Sequence, residues 1–156
     1  MTSGNLQNLA KIGQLDPVPL SVDLVKRMLA AARQRLRDAE FTENSSETRF
    51  DCAYTSIRAV ADIGLHLHGF RTSTSKPGHH QTAIQCMTHT LGFDDATVRV
   101  LDGLRKQRNM SDYEGELVTD AALQECLQQA RKILTRVESI LKKHPEFKGK
   151  VQSTKP

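Results

Sequence analysis

The sequence is poor in aromatic residues, which make up 4% of its 156 positions, and it contains no tryptophan. A chain of this length supports one domain with a sizeable core. That core must then be filled by Leu, Ile, Val, Ala and Met, the usual content of packed helices. No run of 18 apolar residues occurs, so no membrane-spanning helix is expected. The opening MTSGNLQNLAKIGQLDPVP lacks the continuous apolar stretch of a secretory signal, and residues 1–19 read as a flexible leader. Cysteines are few and odd in number: Cys52, Cys86 and Cys126 lie far apart, each within an expected helix. They read as small buried hydrophobes of a cytoplasmic protein. No Walker loop, GxSxG elbow or dinucleotide fingerprint is present. The histidines include His66/His68 and the adjacent His79/His80, and neither pair has the i, i+4 spacing of a helical metal-binding face. No metal or cofactor is expected.

What is present is helical periodicity, with no convincing strand. Ser21 is a plausible N-cap, with Leu20 and Val25 forming a hydrophobic staple, and Val25, Met28/Leu29, Ala32, Leu36 and Ala39 keep a 3.6-residue period. Asn44 with Glu47 resembles a capping box for a second helix that runs to about Gly69. RTSTSKPG, residues 71–78, is a loop by composition. A short third helix carries His80, Ile84, Met87 and Leu91 on one stripe, with His79 and His80 satisfying polar groups at its start. Asp94 or Asp95 caps a fourth helix that ends near Asn109–Ser111. Thr119 or Asp120 caps the last, whose seam runs from Leu123 to Leu141 before Pro145. The expected fold is all-α: an antiparallel, up-and-down four-helix bundle with one additional short helix, over residues 20–143. Residues 144–156 are expected to be a basic, disordered tail.

The net charge is +4, but it is unevenly spread. From Arg131 to Pro156 eight Lys/Arg face two acids, whereas Asp112–Glu125 holds five acids and no base. The basic end suits contact with phosphate backbones or plain solvation. A helical wheel places Arg105 roughly 40° and Arg108 roughly 20° from Leu101, so both arginines prolong the apolar face. Inward arginines need a carboxylate, carbonyls, a phosphate or a subunit boundary. Acids such as Asp62 or Asp112 supply one solution. A phosphate held by Arg105, Arg108 and the adjoining Asn109 supplies another.

The run Arg108-Asn109-Met110-Ser111-Asp112-Tyr113 resembles the signature of the HEPN superfamily of small helical-bundle proteins. In that signature an arginine and a polar residue are followed, after three variable residues, by a histidine. Tyr113 stands at the histidine position. The run AYTSIRAVADIGLHLHGFR and the GHH before the third helix add to the likeness, which covers roughly Leu20 to Leu141. The resemblance implies a homodimer whose motif faces meet in a cleft. In active members the arginine and histidine cut RNA without a metal, and many are toxins paired with a nucleotidyltransferase antitoxin. Tyrosine, with an ordinary pKa of about 10, is a poor base near neutrality. Three functions follow. The first is a non-catalytic module binding nucleic acid (RNA or DNA) or a nucleotide through Arg105, Arg108, Asn109 and Tyr113. The second is a metal-independent ribonuclease toxin of a toxin–antitoxin or phage-defence system, with Arg108 and Tyr113, or a histidine from elsewhere, in the catalytic roles. The third is a helical module that docks a protein partner.

Overall fold

A computed structural model describes residues 2–115 and 117–147; within them, the side chains of Thr2, Ser3, Asp112 and Tyr113 lie outside the description. The chain is mainly helical. Helix α1 spans Thr2–Lys11 and strand β1 Leu15–Pro17. Helices α2 (Val22–Glu40) and α3 (Ser46–Leu67) follow, then strand β2 (Phe70–Thr72). The short α4 (His79–Gln85) and α5 (Met87–Thr90) lead to the long α6 (Asp95–Glu114) and α7 (Asp120–Lys143). Among the described residues no helix is long and apolar enough to cross a membrane.

The long helices begin where short polar side chains can take up free backbone donors. Ser21 accepts from the Leu24 amide, Asp94 from Thr97 and Thr119 from Ala122. For α3 the cap is Ser45, which accepts from the Thr48 amide, and not Asn44. Asn44 instead donates to the Asp38 carbonyl, and Glu47 accepts from the Val118 amide, so the expected capping box is spent on tertiary contacts. Helix α6 runs past Ser111 because nothing interrupts it before Gly115. That residue adopts φ +67° and returns its amide to the Met110 carbonyl.

Helix α3 is the centre of the fold and packs chiefly against α2 and α7. Its fully buried residues include Phe50, Tyr54, Ile57, Val60 and Ile63, and the α7 seam from Leu123 to Leu141 closes over them. Gly64 lets α5 come close: a Cβ there would sit 2.7 Å from Thr90 Oγ1. Two ion pairs tie α2 to α7, Arg33 with Glu138 at 2.6 Å and Arg131 with Glu40 at 2.7 Å. The thiols of Cys86 and Cys126 are buried, and burial pushes them up to about 11 and about 12. At neutral pH they are packing groups and not nucleophiles.

The N-terminal segment corrects the expected leader. Residues 2–11 are helical, and Leu6 and Leu15 are fully buried against the core. Strand β1 pairs antiparallel with β2, in the register Leu15↔Thr72, Asp16↔Arg71 and Pro17↔Phe70. Flanking bonds from Val18 N to Gly69 O and from Ser73 N to Gln14 O extend the pairing. Part of the expected loop at 71–78 is therefore strand. Three-residue strands containing proline and aspartate have no alternation to read, so the pairing depends on tertiary position alone. At the other end Phe147 is fully buried, so residues 144–147 belong to the packed body. The rest of the expected tail, 148–156, lies outside the described residues.

Candidate functional site

The inward arginines of α6 are held by carboxylates. Arg105 Nε donates to Asp102 Oδ1 at 2.9 Å, one helical turn back. Arg108 Nε donates to Asp51 Oδ1 of α3 at 3.0 Å, and its guanidinium lies 5.6 Å from the centre of the Tyr54 ring. Of the two acids offered as examples for these arginines, Asp62 stands 3.6 Å from Arg58 on its own helix, and the side chain of Asp112 lies outside the described residues. The wheel is nevertheless right about direction: the Arg105 side chain is only 16% exposed and that of Arg108 26%.

Arg105 and Asn109 open onto a cleft of about 260 Å³ whose other wall is Gly78, His79, His80 and Gln81 at the start of α4. Two segments nearly thirty residues apart in sequence thus face each other. The His79 and His80 rings meet edge to face, with centroids 4.4 Å apart. The sequence pattern singles out Arg105 and Asn109, whereas it assigns His79 and His80 only a local polar role. No nearby spacing signals that α4 lies against α6. Arg108 is not among the residues that line this cleft and lies instead beside Tyr54. Tyr113 falls within α6, and its side chain lies outside the described residues.

The electrostatics of this corner are coupled. His80 is pushed down to about 4, first by burial and then by Arg58, His79, Arg108 and Arg105. It is therefore a neutral imidazole at pH 7, able to accept a hydrogen bond on one nitrogen and donate on the other. Asp62 is pushed up to about 6 by burial, against the pull of Arg58 and His79. The Tyr54 hydroxyl is pushed up to about 12 by burial, against Arg108, Arg105 and Arg58, so it stays protonated. It has no hydrogen-bond partner among the described residues.

Two cations of the basic end are used in packing. The Arg136 guanidinium donates to the Leu91 carbonyl at 3.0 Å and lies 4.5 Å from the Phe93 ring centre. Lys132 donates to Thr97 Oγ1. Among the described residues no three His, Cys, Asp or Glu side chains are grouped to hold a metal ion. The chemistry available at the α4/α6 cleft is thus that of a guanidinium, a carboxamide and two imidazoles, a donor-rich set suited to an oxyanion. No family model matches the chain, and no curated protein matches it.

Proposed function

We propose that this protein is a non-catalytic, HEPN-like helical module that binds nucleic acid or a nucleotide by a phosphate in the α4/α6 cleft. One observation carries the reading: Arg105 and Asn109 converge with His79, His80 and Gln81 on one cleft of about 260 Å³. Guanidinium and carboxamide N–H groups match phosphate oxygens, and Asp102 orients Arg105 by engaging its Nε. Arg58 and Arg108, whose charges act on His80, add positive potential. The long helices arranged as an antiparallel four-helix bundle, and the homodimer with its composite cleft, belong to the same proposal. So does a cytoplasmic setting, which suits the free thiols of Cys52, Cys86 and Cys126.

A second reading, metal-independent RNA cleavage, is favoured by one specific observation: His79 and His80 stand beside Arg105 and Asn109. They bring imidazoles to a site whose RNxxxY motif lacks one. A neutral imidazole is the form that accepts a proton, as activation of a ribose 2′-hydroxyl requires.

The test is fluorescence anisotropy with labelled single-stranded RNA and DNA over a salt series. Binding should weaken with salt, and Arg105→Ala should lower the magnitude of the log–log salt slope by about 1. No binding at low salt would overturn the proposal and leave a protein partner, a nucleotidyltransferase among the candidates, as the remaining reading. RNA cleavage in EDTA that is lost in His80→Gln would replace binding with catalysis.

A further inference from the structure

Helix α4 has a second wall. On the side toward α1 and α5, a groove of about 440 Å³ is floored by Leu9, Ile12 and Cys86 and edged by Gln14, Thr82 and Gln85. A hollow of about 340 Å³ shares Leu9, Ile12 and His89 with it and adds Asn5 and Asn8. Neither is lined by Asp, Glu, Lys or Arg. The polar groups are carboxamides, one hydroxyl and one imidazole. Asn5 Nδ2 lies 3.3 Å from His89 Nδ1, which joins α1 to α5 across the groove. The apolar floor is open to a ligand: Ile12 is 63% exposed.

This lining selects against two kinds of ligand. An anion would find no cation there. A plain hydrocarbon would cover the amides without pairing them, at a cost in desolvation. It suits a flat, neutral ring with donors and acceptors on its edge and an apolar face, which describes a nucleobase. Asn and Gln carboxamides pair with base edges through two hydrogen bonds, and aliphatic side chains such as Leu9 and Ile12 can lie against the ring.

Helix α4 also links this groove to the cationic cleft. Gln81 lines the cleft and Gln85 lines the groove, so the two sites lie about one helical turn, roughly 6 Å, apart along the axis of the same helix. We infer that the α1/α4/α5 groove is a nucleobase subsite, taking the base of a nucleotide unit whose phosphate sits in the α4/α6 cleft. The inference rests on the phosphate-binding reading above.

The experiment measures binding of the full chain to a single-stranded DNA hexamer, its abasic counterpart with the same phosphates, and a nucleoside monophosphate. The intact hexamer should bind at least about tenfold tighter than the abasic one, the value of one good base-edge pair. The double variant Asn8→Ala/Gln85→Leu, at two exposed positions, should bring the intact hexamer down to the abasic affinity and leave the abasic affinity unchanged. Arg105→Ala should weaken both. A mononucleotide that competes more strongly for wild type than for Asn8→Ala/Gln85→Leu identifies a free nucleotide as sufficient and supports the subsite. If intact and abasic hexamers bind alike while Arg105→Ala still weakens them, the base groove is wrong and the phosphate cleft stands. If neither hexamer binds at low salt, both fall together.

Discussion

The two sides of α4 are built on opposite principles. Toward α6 the wall is charged: Arg105 and Arg108 are half-buried, each bonded to a carboxylate, with a neutral His80 pressed among them. Toward α1 the wall is neutral, and Leu9, Ile12 and carboxamides form it. On the charged side the arginines are fixed by ion pairs, Arg105 within α6 and Arg108 to Asp51 of α3. The neutral side depends on the docking of α1, whose fully buried side chain is Leu6. The comparison shows that one short helix can present two different chemistries when the partner on each side is fixed by a different kind of force.

The largest effect is expected where the neutral side is anchored. Leu6→Ala removes a fully buried side chain and should cost about 2–5 kcal/mol, read as a lower urea midpoint. An unchanged midpoint, with α1 amides as protected from exchange as before, would show that Leu6 does not hold this wall. The charged side should respond to pH in two opposite ways. His80 lies at about 4, below the ordinary 6.5, so the unfolded chain binds a proton that the native site refuses. Its contribution to stability therefore falls as pH drops from about 6.5 toward 4. Asp62 lies at about 6, above the ordinary 3.8, so the native chain holds the extra proton, and its contribution falls as pH rises from about 4 through 6. Relative to wild type, His80→Gln should gain stability as pH falls through the first window. Asp62→Asn should gain as pH rises through the second. Denaturation curves at several pH values check both signs, and parallel curves for variant and wild type would remove these groups from the account. The smallest effect is expected at Tyr54→Phe, which deletes a buried hydroxyl without a partner among the described residues and keeps the ring beside Arg108. Its stability should stay within about 1 kcal/mol of wild type or rise, by thermal unfolding.

The same contrast separates what the sequence discloses from what it hides. Helices α2 and α7 are legible because each carries a long apolar stripe behind a side-chain cap, Ser21 and Thr119. The α6 half of the cleft is legible for the same reason: periodicity directs Arg105 and Arg108 inward whatever they meet. Their partners are not. Arg108 and Asp51 are 57 residues apart, and only the α3–α6 packing brings them together. The α4 half of the cleft is hidden because His79 and His80 acquire meaning only from α6. Helix α1 is hidden because its one fully buried leucine leaves too thin a stripe to separate a docked helix from a polar leader. The tyrosine in RNxxxY points away from catalysis when the motif is read alone, whereas the fold sets two imidazoles beside Asn109 of the motif and beside Arg105, which lies outside it.

The phosphate cleft is tested most directly at His80 itself. Its imidazole resonances, followed by NMR over pH with and without saturating inorganic pyrophosphate, report any anion placed beside it. An anion in the cleft favours the protonated ring, so pyrophosphate should move the titration midpoint up from about 4 in wild type. In Arg105→Ala, whose ligand-free midpoint is itself higher because one lowering charge is gone, pyrophosphate should cause no further shift. A midpoint that ignores pyrophosphate, or one that shifts equally in Arg105→Ala, would contradict the account.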